Sequence, residues 1–239
     1  MRQILVTRPK ADFSRTAKKL AQMGYKALHA PMMKYRPLDF KPPKTNAISA
    51  LIFTSANGIR AVENHRDLRN LGCYVVGAQT KQMALACGFE VLAQGDGDVE
   101  TLCQAIEADY KTRQLTKPLL HISGVHQAGN LSQKLADVGI VTERIQAYIM
   151  DEIEHLPADI IELIKSQKLD AMLFYSQRSA KIFLNNIGNL GLMSAIAEIP
   201  TFCLSKTIAQ RVCTPYLKHI YSAAQANEDD LLALLQKKL

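Results

Sequence analysis

The sequence predicts an α/β protein with parallel sheets, laid out as two three-layer domains that repeat one plan. Three observations carry that prediction. Short apolar runs of strand length alternate with helical patterns along the whole chain, the mark of strand–helix units that build parallel sheets. Leu51-Ile-Phe-Thr-Ser55 is echoed roughly half a chain later by Met172-Leu-Phe-Tyr-Ser176. Each is an apolar run ending in hydroxyls just where a helical pattern begins. Leu20-Ala-Gln-Met-Gly24 likewise matches Leu135-Ala-Asp-Val-Gly139, with Thr7 and Ser123 at nearly the same distance upstream. Repetition at two independent places argues against chance.

In order, Arg2 to Thr7 is a strand ended by Arg8-Pro9, and a helix follows to about Met23 with Gly24 as its stop. Tyr25 to Met33 reads as a second strand. Lys34 to Pro43 is extended and proline-punctuated, and is the first linker. A strand and helix occupy 51–64, then a strand Cys73 to Val76 leads through Gly77-Ala-Gln-Thr80 into a helix capped by Gly88. Phe89 to Ala93 is a short strand and 95–98 a turn. Asp98 is the N-cap of a helix over 99–114, with Glu100 in its first turn. After Lys117-Pro118 the plan restarts: strand Leu119 to Ile122, turn at Ser123-Gly124, helix Asn130 to Val138, extended Val141 to Met150. A helix over 157–167 leads to the strand and helix of 172–186, then strand Thr201 to Leu204 with Ser205-Lys-Thr207 at its end. Strand His219 to Tyr221 precedes a last helix capped by Asn227, with Glu228-Asp-Asp230 at its start and Lys237-Lys238 at its end.

Length and composition bound the rest. At 239 residues, 48% hydrophobic and 21% charged, the chain has room for two cores. Met1 to Pro9 holds only three consecutive apolar residues, too few for a signal-peptide core, and no run approaches the ~18 residues of a membrane span. Five scattered cysteines, never Cys-x-x-Cys, read as reduced thiols of a cytoplasmic protein. The net charge of +7 admits solubility, nucleic acid or a small polyanion as its reason. Nucleic acid is disfavoured, because there is no Lys/Arg block, no tryptophan and few aromatics.

The chemistry sits at strand ends. In open α/β sheets ligands bind outside the carboxyl ends of the strands, where a hydroxyl beside unpaired helix N–H groups can hold an anion. Arg8 follows Thr7, Lys81 follows Thr80, Arg178 follows Ser176 by two positions, and Lys206 follows Ser205. Each cation stands near a helix N-terminus, against the macrodipole by roughly 0.3–1 kcal/mol. Rules broken without visible compensation tend to mark functional sites, although coincidence in a basic protein explains the pattern nearly as well. The sharper reading is a cleft for carboxylates or phosphates. Gly-x-Gly-x-x-Gly, Walker and Gly-x-Ser-x-Gly motifs are absent. The histidines are dispersed and no set of ligands completes a metal site.

Taken together, Val6-Thr-Arg-Pro9, Leu51-Ile-Phe-Thr-Ser-Ala-Asn57, Val75-Val-Gly-Ala-Gln-Thr80, Leu173-Phe-Tyr-Ser176, Leu204-Ser-Lys-Thr-Ile-Ala209 and Ile145-Gln-Ala-Tyr148 resemble the uroporphyrinogen-III synthase family almost end to end. Their order and spacing, not any one motif, carry the resemblance. It implies a cytoplasmic monomer with two α/β domains joined by a two-stranded linker ladder, and a cleft between them. The repeats alone suggest tandem halves cut near 117. The resemblance instead implies a first domain of 1–33 and 153–239, a second of 42–142, and linker strands at 34–41 and 143–152.

The implied reaction is a cofactor-free lyase step of tetrapyrrole (haem) biosynthesis. Hydroxymethylbilane, a linear tetrapyrrole with eight carboxylates, loses water and closes to uroporphyrinogen III with ring D inverted, through an azafulvene cation and a spiro intermediate. Unaided closure gives the type I isomer, so the enzyme chiefly enforces geometry. The resemblance puts Ser55, Asn57, Thr80, Ser176 and Ser205 at the substrate. Thr7, Arg8, Ser123, Arg178 and Thr207 join them as strand-end groups. Tyr148 becomes the acid, a phenol that stays protonated at neutral pH; without the resemblance it reads as a packing residue of a linker strand. Expected partners are the bilane, with room for a transient contact with the upstream bilane-forming enzyme, and neither nucleic acid nor membrane. The chain departs from the family pattern at Ser205, often a glycine, at Ile208, sometimes a threonine, and at Val125-His126, where an arginine-bearing loop is common. Those departures keep a weak or inactive tetrapyrrole-binding regulator of the same fold as the rival reading. A nucleotide-dependent enzyme ranks lower, for want of phosphate fingerprints.

Overall fold

The computed structural model describes residues 1–96, 98–126, 129–212 and 215–239. Gly97 of the expected turn, part of the 123–129 turn, and Cys213 lie outside the described residues. The elements run β1 (Gln3–Val6), α1 (Lys10–Gln22), β2 (Lys26–His29), β3 (Met33–Pro37), β4 (Ala50–Phe53), α2 (Ala56–Ala61), β5 (Cys73–Val76), α3 (Gly77–Ala86) and β6 (Val91–Gly95). They continue α4 (Val99–Thr112), β7 (Leu119–Gly124), α5 (Leu131–Asp137), β8 (Thr142–Glu152), α6 (Ala158–Lys165), β9 (Ala171–Phe174), α7 (Gln177–Asn189), β10 (Thr201–Cys203), α8 (Lys206–Val212), β11 (Ile220–Ser222) and α9 (Glu228–Lys238).

The chain divides into two compact units. One joins Met1–Lys34 to Asp151–Leu239, and the other is Tyr35–Met150. The first carries a five-stranded parallel sheet in the order β11-β10-β9-β1-β2. The second carries a six-stranded sheet in the order β3-β8-β7-β4-β5-β6, parallel from β8 to β6. The order β9-β10-β11 flanked by β1-β2 has the same layout as β4-β5-β6 flanked by β7-β8.

Strands covered on both faces need no polar alternation, which is why Ala50–Phe53 and Ala171–Phe174 are apolar and buried at every position. The two faces still divide the labour. Leu51, Phe53, Leu120 and Ile122 pack with Ile59 and Val62 in one layer. Ala50, Ile52, Tyr74 and Leu119 pack with Leu102, Ile106, Leu131 and Leu135 in the other. In the first unit, Ile4, Val6, Leu173 and Phe202 pack under Leu231, Leu232 and Leu235 of α9. Each fully buried side chain of this size is worth about 1.5–3 kcal/mol.

Three expectations need correcting. The single strand expected over 25–33 is broken, with β2 ending at His29 and β3 starting at Met33 in the other sheet. Pro31 lies between them and has no N–H to give a ladder. The strand expected at Phe89 to Ala93 lies at Val91–Gly95, because the Phe89 N–H closes α3 on the Ala84 carbonyl and its ring enters the core. Thr80 is not in a strand-end turn but in the first turn of α3, which starts at Gly77. The caps hold. Thr101 N–H donates to Asp98 Oδ1 at 2.9 Å and Asp230 N–H to Asn227 Oδ1 at 2.9 Å. Gly24 and Gly139 stop their helices at φ of +81° and +79°, a region closed to most side chains.

Glu228 does more than answer the dipole of α9. Its carboxylate accepts from Arg8 Nη1 at 2.7 Å, Thr16 Oγ1 at 2.6 Å, Arg15 Nε at 3.2 Å, and lies 3.4 Å from Lys19 Nζ. The Arg8 guanidinium also lies over the Tyr175 ring, 4.2 Å from its centroid. Burial works to raise the Glu228 carboxyl, but Thr16 and the three cations outweigh it and hold it below the usual range. A carboxyl lowered on folding adds stability that is present above its unfolded value and lost as pH falls through the folded one. Glu228→Gln keeps the shape and strands the buried Arg8 charge. We expect urea unfolding at pH 7 to show a loss on the order of 3 kcal/mol, with the gap to the parent closing as pH drops below about 4.3. Equal stabilities at pH 7 would mean that the pairing only offsets its own desolvation.

Candidate active site

Within the parallel run of each sheet the strand order reverses at one place, and the reversal opens a crevice at the carboxyl ends. In the first unit it falls between β1 and β9, and in the second between β4 and β7. Thr7 and Ser176 stand at the first of these points and Ser55 and Ser123 at the second, with Ser205 and Thr207 one strand away after β10, and they are used differently.

At the first, Thr7 Oγ1 donates to the Leu173 carbonyl at 3.0 Å and is fully buried, tying β1 to β9. Ser176 caps α7 by accepting from Ser179 N–H at 3.1 Å, and its Oγ lies 2.8 Å from that of Ser179. Arg178 donates to Glu152 Oε1 from Nε at 3.2 Å and Nη2 at 3.1 Å. Ser205 Oγ lies 2.8 Å from Thr207 Oγ1 and accepts a longer bond from Ile208 N–H at 3.4 Å. Arg8 and Arg178 are therefore compensated by Glu228 and Glu152, and neither is an unanswered charge at a helix N-terminus. Lys81 and Lys206 stand exposed.

The second unit breaks this symmetry. Ser55 occupies the N-cap position of α2 with extended backbone, yet its side chain makes no cap bond. Its Oγ instead lies 2.9 Å from the Tyr148 hydroxyl. A residue well suited to capping has been turned to a phenol.

Tyr148 reaches that position through an irregular strand pairing. Ile122 is opposite Ile145 and Ser123 opposite Gln146, but Gly124 is opposite Tyr148, so the register slips by one residue. Such a bulge re-aims a side chain. The ring lies so close over Gly124 that a Cβ there would sit 2.8 Å from Cε2 and 3.0 Å from Cζ. Tyr35 lies against it, with centroids 5.6 Å apart. Arg144 braces the end of β7 from β8: its Nε donates to Ser123 Oγ at 2.8 Å, and its Nη2 to the carbonyls of Gly124 at 2.8 Å and Val125 at 3.1 Å. Ser123 Oγ in turn donates to the Ile145 carbonyl at 3.2 Å and is buried.

Tyr148 is only 8% exposed. Burial pushes its phenol above the ordinary value, while the Ser55 hydroxyl, the Gly124 N–H and the Arg60 charge pull the other way without reversing the shift. The group is a neutral proton donor at physiological pH. His121, on the same strand as Gly124, meets Thr54 Oγ1 at 3.3 Å, and burial lowers it to about 4. It is neutral there and carries no charge to the site.

Asn57 is engaged at both ends of its amide. Its Nδ2 donates to Met150 Sδ at 3.4 Å, and its Oδ1 accepts from Arg60. Thr80 is buried in α3. A cavity of about 560 Å³ lies elsewhere, in the first unit against Glu152–Leu156 and the helices α6 and α7. None of the expected site residues lines it.

Sequence reasoning missed Tyr35, Arg60, Gly124 and Arg144. Arg60 had a usable signal, lying one helical turn from Asn57. Gly124 read only as a turn residue, since nothing in a sequence shows which ring lies over a glycine.

The family model for uroporphyrinogen-III synthase HemD matches residues 14–233. A curated relative, the uroporphyrinogen-III synthase of Chlorobaculum parvum, is 23% identical over 214 residues, covering 82% of this chain and 83% of that one. The crystal structure of uroporphyrinogen-III synthetase from Helicobacter pylori is similar over 100% of both chains, with a TM-score of 0.68 at 17% identity. A mutant uroporphyrinogen III synthase from Thermus thermophilus gives a TM-score of 0.57 at 12% identity, covering 99% of this chain and 98% of that one. At these identities the two structures speak for the fold.

Proposed function

The chain belongs to the uroporphyrinogen-III synthase family, a family of lyases in haem biosynthesis, and from that premise we propose that it converts hydroxymethylbilane to uroporphyrinogen III with Tyr148 as the acid. The observation that carries the assignment of Tyr148 is its pairing with Ser55 at 2.9 Å, made at the expense of a helix cap. A hydroxyl drawn away from a stabilising role supports a chemical one.

In this reading the phenol gives its proton to the hydroxyl leaving the bilane, which departs as water. The resulting cation is attacked by the substituted end of ring D, and the spiro intermediate rearranges to the inverted ring. The proton lost on final aromatisation returns to the phenolate, so acid and base balance over one turnover. The overall change is loss of one water with no redox step, so the chemistry asks for no cofactor. Most of the enzyme's task is orientation. The substrate's carboxylates fit a chain of net charge +7 and the strand-end groups Ser176, Ser205 and Thr207, with Lys81 and Lys206 as exposed cations. The protein would act as a cytoplasmic monomer.

The test is the isomer ratio of the porphyrins recovered by oxidation after incubation with hydroxymethylbilane. We expect type III well above the spontaneous background. Type I alone would overturn the proposal and leave a tetrapyrrole-binding protein of this fold.

A further inference from the structure

Two rungs join the start of α2 to β8. Ser55 meets Tyr148 at 2.9 Å, and two residues further along both segments Asn57 meets Met150 at 3.4 Å. Arg60, one helical turn beyond Asn57, donates to Asn57 Oδ1. The amide is thus held by β8 on one side and holds the guanidinium on the other.

We propose that Arg60, held by Asn57, is a positioning residue for the Tyr148 acid, supplying the positive charge that steadies the phenolate left when the proton departs. The proposal rests on Tyr148 acting as the acid in the reaction proposed above. Proton release from Tyr148 creates an anion in a largely buried place, which is costly without compensation. Ser55 and the Gly124 N–H supply hydrogen-bonding groups from α2's entry and β7, but neither carries charge. Arg60 stands on α2 one turn beyond the Asn57 rung, and its positive charge favours the ionised form of Tyr148 and of the neighbouring Tyr35 phenol of β3. Tyr35 is also affected by Glu63, just past α2, which acts on it in the opposite sense. The bland alternative is an ordinary surface pair of the i,i+3 type, worth a few tenths of a kcal/mol to a helix. That alternative gives Arg60 no effect on the phenol.

The experiment compares Arg60→Met and Arg60→Lys with the parent by two readouts. The first is ¹⁹F NMR titration of protein carrying 3-fluorotyrosine, with the resonance of position 148 identified by its loss in Tyr148→Phe. Fluorination brings the phenol into a milder pH range, and the readout needs no turnover. The second is kcat and KM for type III formation. In Arg60→Met we expect Tyr148 to titrate higher by on the order of half to one pH unit. We expect kcat to fall roughly threefold to tenfold with KM unchanged. Arg60→Lys restores most of both. An unmoved titration in Arg60→Met overturns the proposal whatever the activity does. A raised KM with intact kcat also overturns it, since Arg60 would then grip substrate. If the titration moves as expected but the parent forms only type I isomer, the electrostatic coupling stands and it is the assigned reaction that fails.

Discussion

Tyr148→Phe is expected to reduce formation of the type III isomer by on the order of 10²-fold, towards the lower end of what a general acid contributes. The leaving group departs fairly readily unaided, so the phenol lowers one barrier among several. Phenylalanine keeps the ring against Gly124 and Tyr35 and removes only the oxygen. Binding of the product should therefore change little. Stability should barely move, because Ser55 loses a partner worth about 1 kcal/mol but becomes free to cap α2, a bond of similar worth. The isomer ratio, product affinity and urea midpoint check the three parts separately. Full activity in Tyr148→Phe would make the phenol structural and leave catalysis to shape and charge placement.

The fold class is written locally: apolar runs of strand length, a glycine at each helix end and the caps at Asp98 and Asn227 all depend on near neighbours. Those features are legible because turn and cap chemistry acts within a few residues. The site depends on pairs far apart in the chain. Ser55 and Tyr148 meet only because β4, β7 and β8 are adjacent in the sheet, and the register slip at Gly124 has no marker in the sequence. The strand-end cations show the opposite failure. Arg8 looked uncompensated because its partner, Glu228, lies at the other end of the chain. Arg178 is likewise answered by Glu152 of β8. Local rules broken in sequence can be repaired in space, so such a pattern nominates positions and does not assign them.

The hydroxyls carry a related lesson about what a repeat preserves. The matched strand orders of the two sheets put Ser55 and Ser176 in equivalent places, each before a helix. Ser176 does what the local sequence asks of it and caps α7. Ser55 does not, and the difference traces to Tyr148 of β8, which brings a phenol within reach of its Oγ. Two serines at matching positions of the two strand orders thus have different partners, through one side chain two strands away in the second sheet.

Gly124→Ala should be nearly as damaging as losing the phenol itself, although alanine adds only a methyl group. Gly124 has no left-handed backbone, so alanine meets no torsional penalty there; the obstacle is space. The added carbon would lie 2.8 Å from Cε2, 3.0 Å from Cζ and 3.3 Å from the hydroxyl of Tyr148, inside the 3.5–4.0 Å or so at which carbon atoms attract. The strand has little room to retreat. Arg144 holds the Gly124 and Val125 carbonyls, and the Val125 N–H donates to the Tyr148 carbonyl at 2.9 Å. The ring must move instead, and moving it pulls the hydroxyl from Ser55. We expect a stability cost of about 1–3 kcal/mol, typical of overpacking, and a loss of type III formation on the order of 10²-fold, since a displacement near 1 Å costs that much. The double variant with Tyr148→Phe separates this from general damage. If Gly124 acts only by placing the phenol, the two losses overlap and the double variant should be scarcely slower than Tyr148→Phe alone. Losses that multiply instead would show that Gly124 serves the reaction by another route, and a fully active Gly124→Ala would show that the phenol's position is not what catalysis depends on.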